Sequence, residues 1–404
     1  MSQEGKERDF HENGARFFRT DKIVWTEVKI RRTERDGERQ AMKIIHCADL
    51  HLDSKMTANL SKEQAKQRRN EILNTFTRMI DYASMHEVEA VLIAGDLFDT
   101  RRISAAAAGV VMDAIAMHPD ITFFYLKGNH DSESFLMRYE TVPDNLKLFS
   151  DTWTTYRLGG IVVAGLELCP FNQALAYHSL VLDHDDYNIV LLHGQERAYA
   201  AKDKAEVIAF SELKNKNIDY LALGHIHSFK HAPLDARGEW CYSGCLEGRG
   251  FDECGPKGFV LLDIEEASHH VNKQFIPFAS RTLETVGVDV SDCMTTQEAA
   301  EQVKKVLEAG RYSSRSLIKL VLKGACRVES EFQTEYLTEK FSGGYYFFKT
   351  EDETTVRIDY RDYAKDESLK GEFIRMVLAS ELSGQEKSDV IRTGIAALSG
   401  EELS

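Results

Sequence analysis

The chain has 404 residues, with 50 Lys and Arg against 65 Asp and Glu and a formal net charge of −15. At 43% hydrophobic and 28% charged it is composed as a globular protein long enough for two or three domains, which excludes general disorder, a collagen-like repeat and a disulfide scaffold. The acidic balance argues against coating nucleic acid by bulk charge, while leaving room for a local basic groove or a basic partner.

Residues 1–41 carry 10 basic and 9 acidic side chains and no sustained apolar period. They read as a poorly ordered N-terminal extension, of the kind a choice of start codon produces. No apolar leader opens the chain and no run of 18 apolar residues follows, so neither secretion nor a membrane span is expected. Seven scattered cysteines, an odd number, suit a reduced, cytoplasmic setting.

At Met42 the pattern changes. Lys43-Ile44-Ile45-His46-Cys47-Ala48 predicts a buried strand, and Ile72, Phe76, Met79, Ile80 and Ala83 share one face of a helix. Glu89–Ala94 predicts a strand covered on both sides, followed by an Ala-rich helix over about 103–117 and a strand at 121–126. Further strands are predicted at 161–164, 187–192, 218–223, 239–243, 258–264 and 270–278. Strands alternating with helices over 42–280 predict an α/β domain with largely parallel sheets. Beyond about 280 the pattern restarts as a small α+β unit, 281–362, with strands at 285–290, 315–323, 344–349 and 354–360 and helices at 296–309 and 330–340. Residues 363–404 read as a helical tail broken at Ser383-Gly384, one stripe holding Phe373, Ile374, Val377, Leu378 and Leu382 and the other Val390, Ile391, Ile395 and Leu398. Such helices pack on their own domain or dock on a partner.

Five short segments sit where strands end: Asp49-Leu50-His51, Gly95-Asp96-Leu97-Phe98-Asp99, Gly128-Asn129-His130-Asp131, His193-Gly194 and Gly224-His225-Ile226-His227. Ligands of open α/β sheets bind beyond the carboxyl ends of the strands. Asp, Asn and His supply oxygen and nitrogen donors suited to Mn²⁺, Fe or Zn²⁺. Two residues one apart in an extended chain point the same way, so both members of Asp-x-His or His-x-His can face one metal. A lone Gly-Asp or His after a strand is ordinarily a turn or a core residue; five in this order point to a metal centre.

This order, DxH, GDxxD, GNHD, H, GHxH, resembles that of the calcineurin-like metallophosphoesterases and covers about 42–278. The resemblance implies a four-layer αββα sandwich. It implies that Asp49, His51, Asp96 and His227 ligate one metal, and that Asp96, Asn129, His193 and His225 ligate a second, with Asp96 bridging. It further implies His130 as the catalytic histidine, with Asp99 as its orienting partner. Such a pair of ions, about 3.5–4 Å apart, clamps phosphate oxygens and activates water. Asp131 reads as a loop brace.

Protein phosphatases of this fold have Arg directly after the second Asp of GDxxD, whereas Asp99 is followed by Thr100, then Arg101 and Arg102. Asp49–Ser54, Ala222–His227 and Tyr242–Glu253 through Lys257-Gly258-Phe259 resemble the SbcD-type DNA repair exonucleases. That resemblance implies a Mn²⁺-dependent 3′→5′ exonuclease with endonuclease capacity, a cap over the DNA groove, an SbcC-type SMC-like coiled-coil ATPase as partner, and homodimerisation. Arg249 either touches a DNA phosphate or pairs with Glu247 or Asp252. Lys62, Lys66, Arg68 and Arg69 form a basic helix face, solvated by default and otherwise placed to steer DNA. Cys241, Cys245 and Cys254 lack an evident fourth zinc ligand and read as incidental. The alternative is a phosphodiesterase or pyrophosphatase for a small nucleotide or lipid, with a non-enzymatic scaffold disfavoured by the complete donor set.

Overall fold

In the computed structural model the described residues are 24–27, 41–56, 60–99, 103–131, 135–197, 207–327, 330–357 and 366–398. Two sheets carry the first two thirds of the chain. One runs, edge to edge, Val24–Glu27, Thr154–Leu158, Ile161–Gly165, Tyr187–His193, Tyr220–Gly224, Glu239–Tyr242, Lys230–Pro233. The other runs His270–Pro277, Gly258–Glu265, Met42–Cys47, Ala90–Ala94, Thr122–Leu126, Leu146–Leu148. Four strands in the middle of the first and four in the second are parallel; antiparallel pairings flank the first set on both sides and the second set beside Met42–Cys47, while Leu146–Leu148 ends the second sheet as a parallel edge strand.

The layering follows from the strand sequences. Ala90–Ala94, Thr122–Leu126 and Ile161–Gly165 are buried at every position, as strands covered on both faces must be. Ile44, Leu92 and Phe124 of one sheet meet Val163, Ile189, Leu191 and Ala222 of the other in a core between the sheets. The opposite faces, Ile45, Val91 and Phe123, receive Ile72, Phe76 and Met79 of helix Lys62–Met85 and Val111 and Ile115 of helix Ala105–Ala116. Val190 and Leu221 meet Tyr177 and Phe210 on the far side of the other sheet. Helix, sheet, sheet and helix stack in four layers, the αββα arrangement of a metallophosphoesterase sandwich. Ser61 and Gln64 close a capping box at the first helix, and Ser104 caps the second while its own N–H donates to Asp53 Oδ2 at 2.7 Å.

Four strands of the two sheets escape the apolar pattern of the sequence: Val24–Glu27, Leu146–Leu148, Thr154–Leu158 and Lys230–Pro233. Thr154–Leu158 pairs antiparallel with Ile161–Gly165 around the two-residue turn Gly159-Gly160. Val24–Glu27 pairs parallel with Thr154–Arg157 as an edge strand, so this part of the expected disordered extension is a strand. Apart from Ala41, the rest of 1–41 lies outside the described residues, as do Thr100, Arg101 and Arg102.

A separate core follows residue 280. Val286 and Val288 of strand Leu283–Asp289, Ile318 and Leu320 of strand Leu317–Lys323, and Phe348 of strand Phe347–Asp352 pack on Val303 and Leu307 of helix Thr296–Gly310 and Leu337 of helix Thr334–Ser342. It is tied back to the sandwich by Arg281, whose guanidinium donates to Glu71 at 2.6 and 2.8 Å and lies 3.5 Å over the Tyr346 ring. The tail helices, Leu369–Ala379 and Gly384–Leu398, pack on each other through Ile374, Val377 and Ile391 and on Val356. No helix among the described residues is long and apolar enough to cross a membrane.

Candidate metal centre

The carboxyl ends of the parallel strands of both sheets meet at one point. His193 Nδ1, at the end of one sheet, lies 2.9 Å from Ala94 O of the other, and the His225 N–H donates to both Asp49 oxygens at 2.8 and 3.0 Å. This closeness requires glycine. A Cβ on Gly95, at φ +91°, would fall 2.1 Å from His193 Nδ1, and one on Gly224 would fall 1.9 Å from Ala94 O and 2.8 Å from His193 Nδ1. Gly224→Ala must push the sheets apart, and overpacking of this kind costs about 1–3 kcal/mol. We expect that loss in urea unfolding; a variant as stable as the wild type would show that the two strand ends are free to separate.

Asp49, His51, Asp96 and His225 all take left-handed backbone angles, φ +51°, +44°, +52° and +98°. None is glycine, and such outliers persist only where the surroundings over-determine them. The hydrogen bonds supply that constraint. The N–H groups of Asp49 and His51 donate to Gly95 O and Asp96 O at 3.1 and 3.0 Å, and the His130 N–H donates to Asp96 Oδ1 at 2.9 Å.

The donor atoms form tight groups. Asp49, His51 and His227 make one and Asp49, Asp96 and His193 another, each with all ligand atoms within 4.8 Å of one another. Asp96 Oδ2 stands between them, 3.8 Å from His51 Nε2 and 3.4 Å from His193 Nε2. Asn129 Oδ1 reaches His193 Nε2 at 3.1 Å, and the His225 ring meets the His193 ring edge-on at 5.4 Å between centroids. Asp49, His51, Asp96 and His193 are buried, while Asn129 and His130 are exposed. The site is thus open on one side, next to a cavity of about 240 Å³ rimmed by the ion pair Lys127–Glu167.

This donor set fits a cation. His51 Nε2 and His227 Nε2 face each other at 3.2 Å, each ring holding its Nδ1 against a carboxylate, Asp99 at 3.2 Å and Glu253 at 2.6 Å. A single shared proton can occupy that gap, and a cation that takes its place satisfies both lone pairs. Carboxylate, imidazole and amide donors in this crowding suit divalent ions.

The side chains of the site offset one another's charge. Burial disfavours an ionised Asp96, but the hydrogen bond and charge of His193 hold its carboxyl well below the usual range. Burial likewise disfavours a charged His193, and the Asp96 carboxylate more than offsets this, raising it to about 9. Burial lowers His51, whereas at His227 the Glu253 hydrogen bond overcomes burial and raises it. Because the folded value of His193 lies above the ordinary 6.5, its ion pair stabilises fully below pH 6.5 and that contribution is lost as pH rises through about 9. Chelator-treated protein should therefore show a falling unfolding midpoint over this range relative to His193→Gln. A constant difference between the two would refute the ion pair.

Around the donors the structure places partners that the sequence left open. Asp99, expected beside His130, makes its 3.2 Å contact with His51, although His51, Asp99 and His130 form a third group of atoms within 4.8 Å. Arg249 pairs with Asp99 at 2.6 Å and Glu253 at 2.9 Å, where the sequence offered a DNA phosphate, or else Glu247 or Asp252, as its partner. Asp131 accepts from the N–H groups of Leu97, Phe98 and Gly128 at 3.1, 2.9 and 3.0 Å, a brace between two loops. Arg68 is fully buried and bound to Glu247 at 3.2 Å, so the basic face loses one member to the interior. Glu253 was missed: it lies in the Gly-rich stretch, and nothing local marks it as the partner of His227. All seven cysteines are free.

Residues 42–229 match the calcineurin-like phosphoesterases. The chain is similar to the uncharacterized metallophosphoesterase YhaO of Bacillus subtilis, 25% identical over 300 residues that cover 70% of this chain and 72% of that one. It is also similar to the SbcD component of the SbcCD nuclease of Staphylococcus epidermidis, 25% identical over 287 residues, 62% of this chain and 74% of that one. The DNA double-strand break repair protein Mre11 of Methanosarcina acetivorans is 24% identical over 266 residues, 61% of this chain but only 41% of that longer protein.

Proposed function

Since residues 42–229 are a calcineurin-like phosphoesterase domain, we propose that this protein is a DNA phosphodiesterase dependent on two Mn²⁺ ions, acting as a 3′→5′ exonuclease with endonuclease capacity in DNA repair. The hydrolytic part of this reading rests on one observation, the gathering of Asp49, His51 and His227, and of Asp49, Asp96 and His193, with their ligand atoms within 4.8 Å of one another. The choice of DNA is supported by the relatives named as a nuclease and as double-strand break repair proteins.

Asp49, His51, Asp96 and His227 hold one ion, and Asp96, Asn129, His193 and His225 the other. Such ions, when bound, neutralise phosphate oxygens and lower the pKa of the attacking water. The protein's own groups do the rest. The Asp96 carboxylate, shared between both histidine sets, fixes their separation. Asn129, exposed at the rim, can offer its amide N–H to the phosphate. His130, also exposed and held by its N–H on Asp96 Oδ1, has its ring edge-on to His51 and can hydrogen-bond or protonate the departing oxygen.

An SbcC-type coiled-coil ATPase is the proposed partner, docking on the tail, where Leu369, Met376, Val390 and Leu398 are exposed beside the packed stripe. A homodimer is consistent with this reading, as is a cytoplasmic location. The test is Mn²⁺-dependent release of nucleotides from end-labelled linear duplex DNA by wild type and Asp96→Ala. Cleavage by wild type alone supports the reading, and the labelled end reports polarity. Intact DNA in a preparation that hydrolyses an aryl phosphodiester would move the substrate to a small nucleotide or lipid.

A further inference from the structure

Behind the donor group Asp49, His51 and His227 lies a chain of contacts that closes on a single guanidinium. His51 Nδ1 sits 3.2 Å from Asp99 Oδ1, and the same oxygen accepts from Arg249 Nη1 at 2.6 Å. His227 Nδ1 sits 2.6 Å from Glu253 Oε1, which accepts from Arg249 Nη2 at 2.9 Å and Nε at 3.3 Å. The Arg249 main-chain N–H donates to Glu253 Oε2 at 2.7 Å. Of the two histidines that present Nε2 atoms 3.2 Å apart, His227 is hydrogen-bonded to its carboxylate and His51 lies in charge contact with its own, and one arginine holds both carboxylates.

We propose that Arg249 is a positioning residue for the metal centre, clamping Asp99 and Glu253 so that His51 and His227 face one cation. The proposal rests on the metal-binding reading of this site and is independent of what the substrate is. Without the guanidinium, two carboxylates face each other across the space it fills, one of them 5% exposed. Like charges so confined repel, and each can relax only by turning away from its histidine. The planar fork matters, because an ammonium cannot present parallel donors to two carboxylates at once. Asp99 and Glu253 engage the guanidinium from opposite sides, which leaves little of it for a DNA phosphate.

The backbone around the clamp is anchored without Arg249. The Asp99 N–H donates to Leu52 O at 3.1 Å, the Glu253 N–H to Gly250 O at 2.9 Å, and Lys257 Nζ to His227 O at 2.6 Å. Removing the guanidinium should therefore loosen side-chain aim while the loops stay in place. Loss of such an outer partner typically lowers metal affinity 10–100-fold.

The experiment is Mn²⁺ titration of the chelator-stripped full chain, following the free-ion electron paramagnetic resonance signal, with unfolding midpoints measured in chelator. Arg249→Met should raise the Mn²⁺ Kd about 10–100-fold and lower the midpoint in chelator by stranding the Glu253 and Asp99 charges, whereas Arg249→Lys, which keeps a cation between them, should hold the midpoint near wild type with a Kd still raised. In an Asp99→Asn, Glu253→Gln background, adding Arg249→Met should change Kd less than about two-fold, because nothing remains to clamp. Wild-type Mn²⁺ affinity in Arg249→Met, with a raised KM for DNA, would overturn the proposal and make Arg249 a DNA contact. A wild-type chain that takes up no Mn²⁺ would instead overturn the metal reading, and the clamp with it.

Discussion

Asp96→Asn should abolish phosphodiester hydrolysis, with a loss on the order of a thousand-fold or more, about 4 kcal/mol of transition-state stabilisation. Asp96 has two separable tasks. Its Oδ1 accepts the His130 N–H, and its Oδ2 lies 3.4 Å from His193 Nε2 and 3.8 Å from His51 Nε2. Asparagine keeps a carbonyl oxygen for the first task and removes the charge the second depends on. Asp96→Ala removes both, and it leaves the His130 N–H unpaired beside Gly128, which packs directly on this carboxylate. The asparagine variant should thus unfold in chelator below the wild-type midpoint at neutral pH, where the His193 ion pair is lost, and lose Mn²⁺ stabilisation, while the alanine variant falls further because the His130 N–H is then unpaired as well. Aryl phosphodiester turnover within ten-fold of wild type in Asp96→Asn would place the essential charge elsewhere.

Glu247→Ala should lower stability by about 3–5 kcal/mol, the usual cost of stripping one partner from a buried ion pair. Arg68 and Glu247 are both fully buried side chains, paired at 3.2 Å. Arg68 also donates to Gly248 O at 2.9 Å and to Glu71 at 2.7 Å, and Glu247 accepts from Thr75 Oγ1 at 2.7 Å and from the Ser280 N–H. Glu71 in turn holds Arg281, stacked on Tyr346. One buried network therefore pins the Gly-rich loop of Arg249 and Glu253 to the first helix and, through Arg281, to the unit beyond residue 280. Urea unfolding is the measurement, and Arg68→Met added to Glu247→Ala should recover much of the loss because no charge is then stranded. A single-variant loss below about 1 kcal/mol would mean that water reaches Arg68.

Much of this arrangement is legible in the sequence, for local reasons. Ala90–Ala94 and Thr122–Leu126 read as strands covered on both faces because every residue in them must be apolar or small to survive there. The polar residues that follow each run stand at strand ends by simple counting, which is why Asp49, Asp96, Asn129, His193 and His225 could be named together. Arg68 is a different case. It lies four residues before Ile72, on the buried stripe of its helix, so its burial was available from spacing and was obscured by its charge. Thr154–Leu158 offers no apolar run, and its place is settled by the Gly159-Gly160 turn and its pairing with Ile161–Gly165.

The sequence by itself determined the order of elements, the α/β class and the residue types gathered at the strand ends, because periodicity and strand-to-loop spacing are encoded within a dozen neighbouring residues; the αββα layering was implied only by the family resemblance. Only the tertiary structure decided the partners. Asp99 and Arg249 are 150 residues apart, His51 and His227 176, and Arg68 and Glu247 179. No local pattern records which carboxylate will face which cation over such separations. That choice belongs to the packing of the two sheets, which brings the loops together and leaves each buried charge with the counter-charge that packing puts in reach.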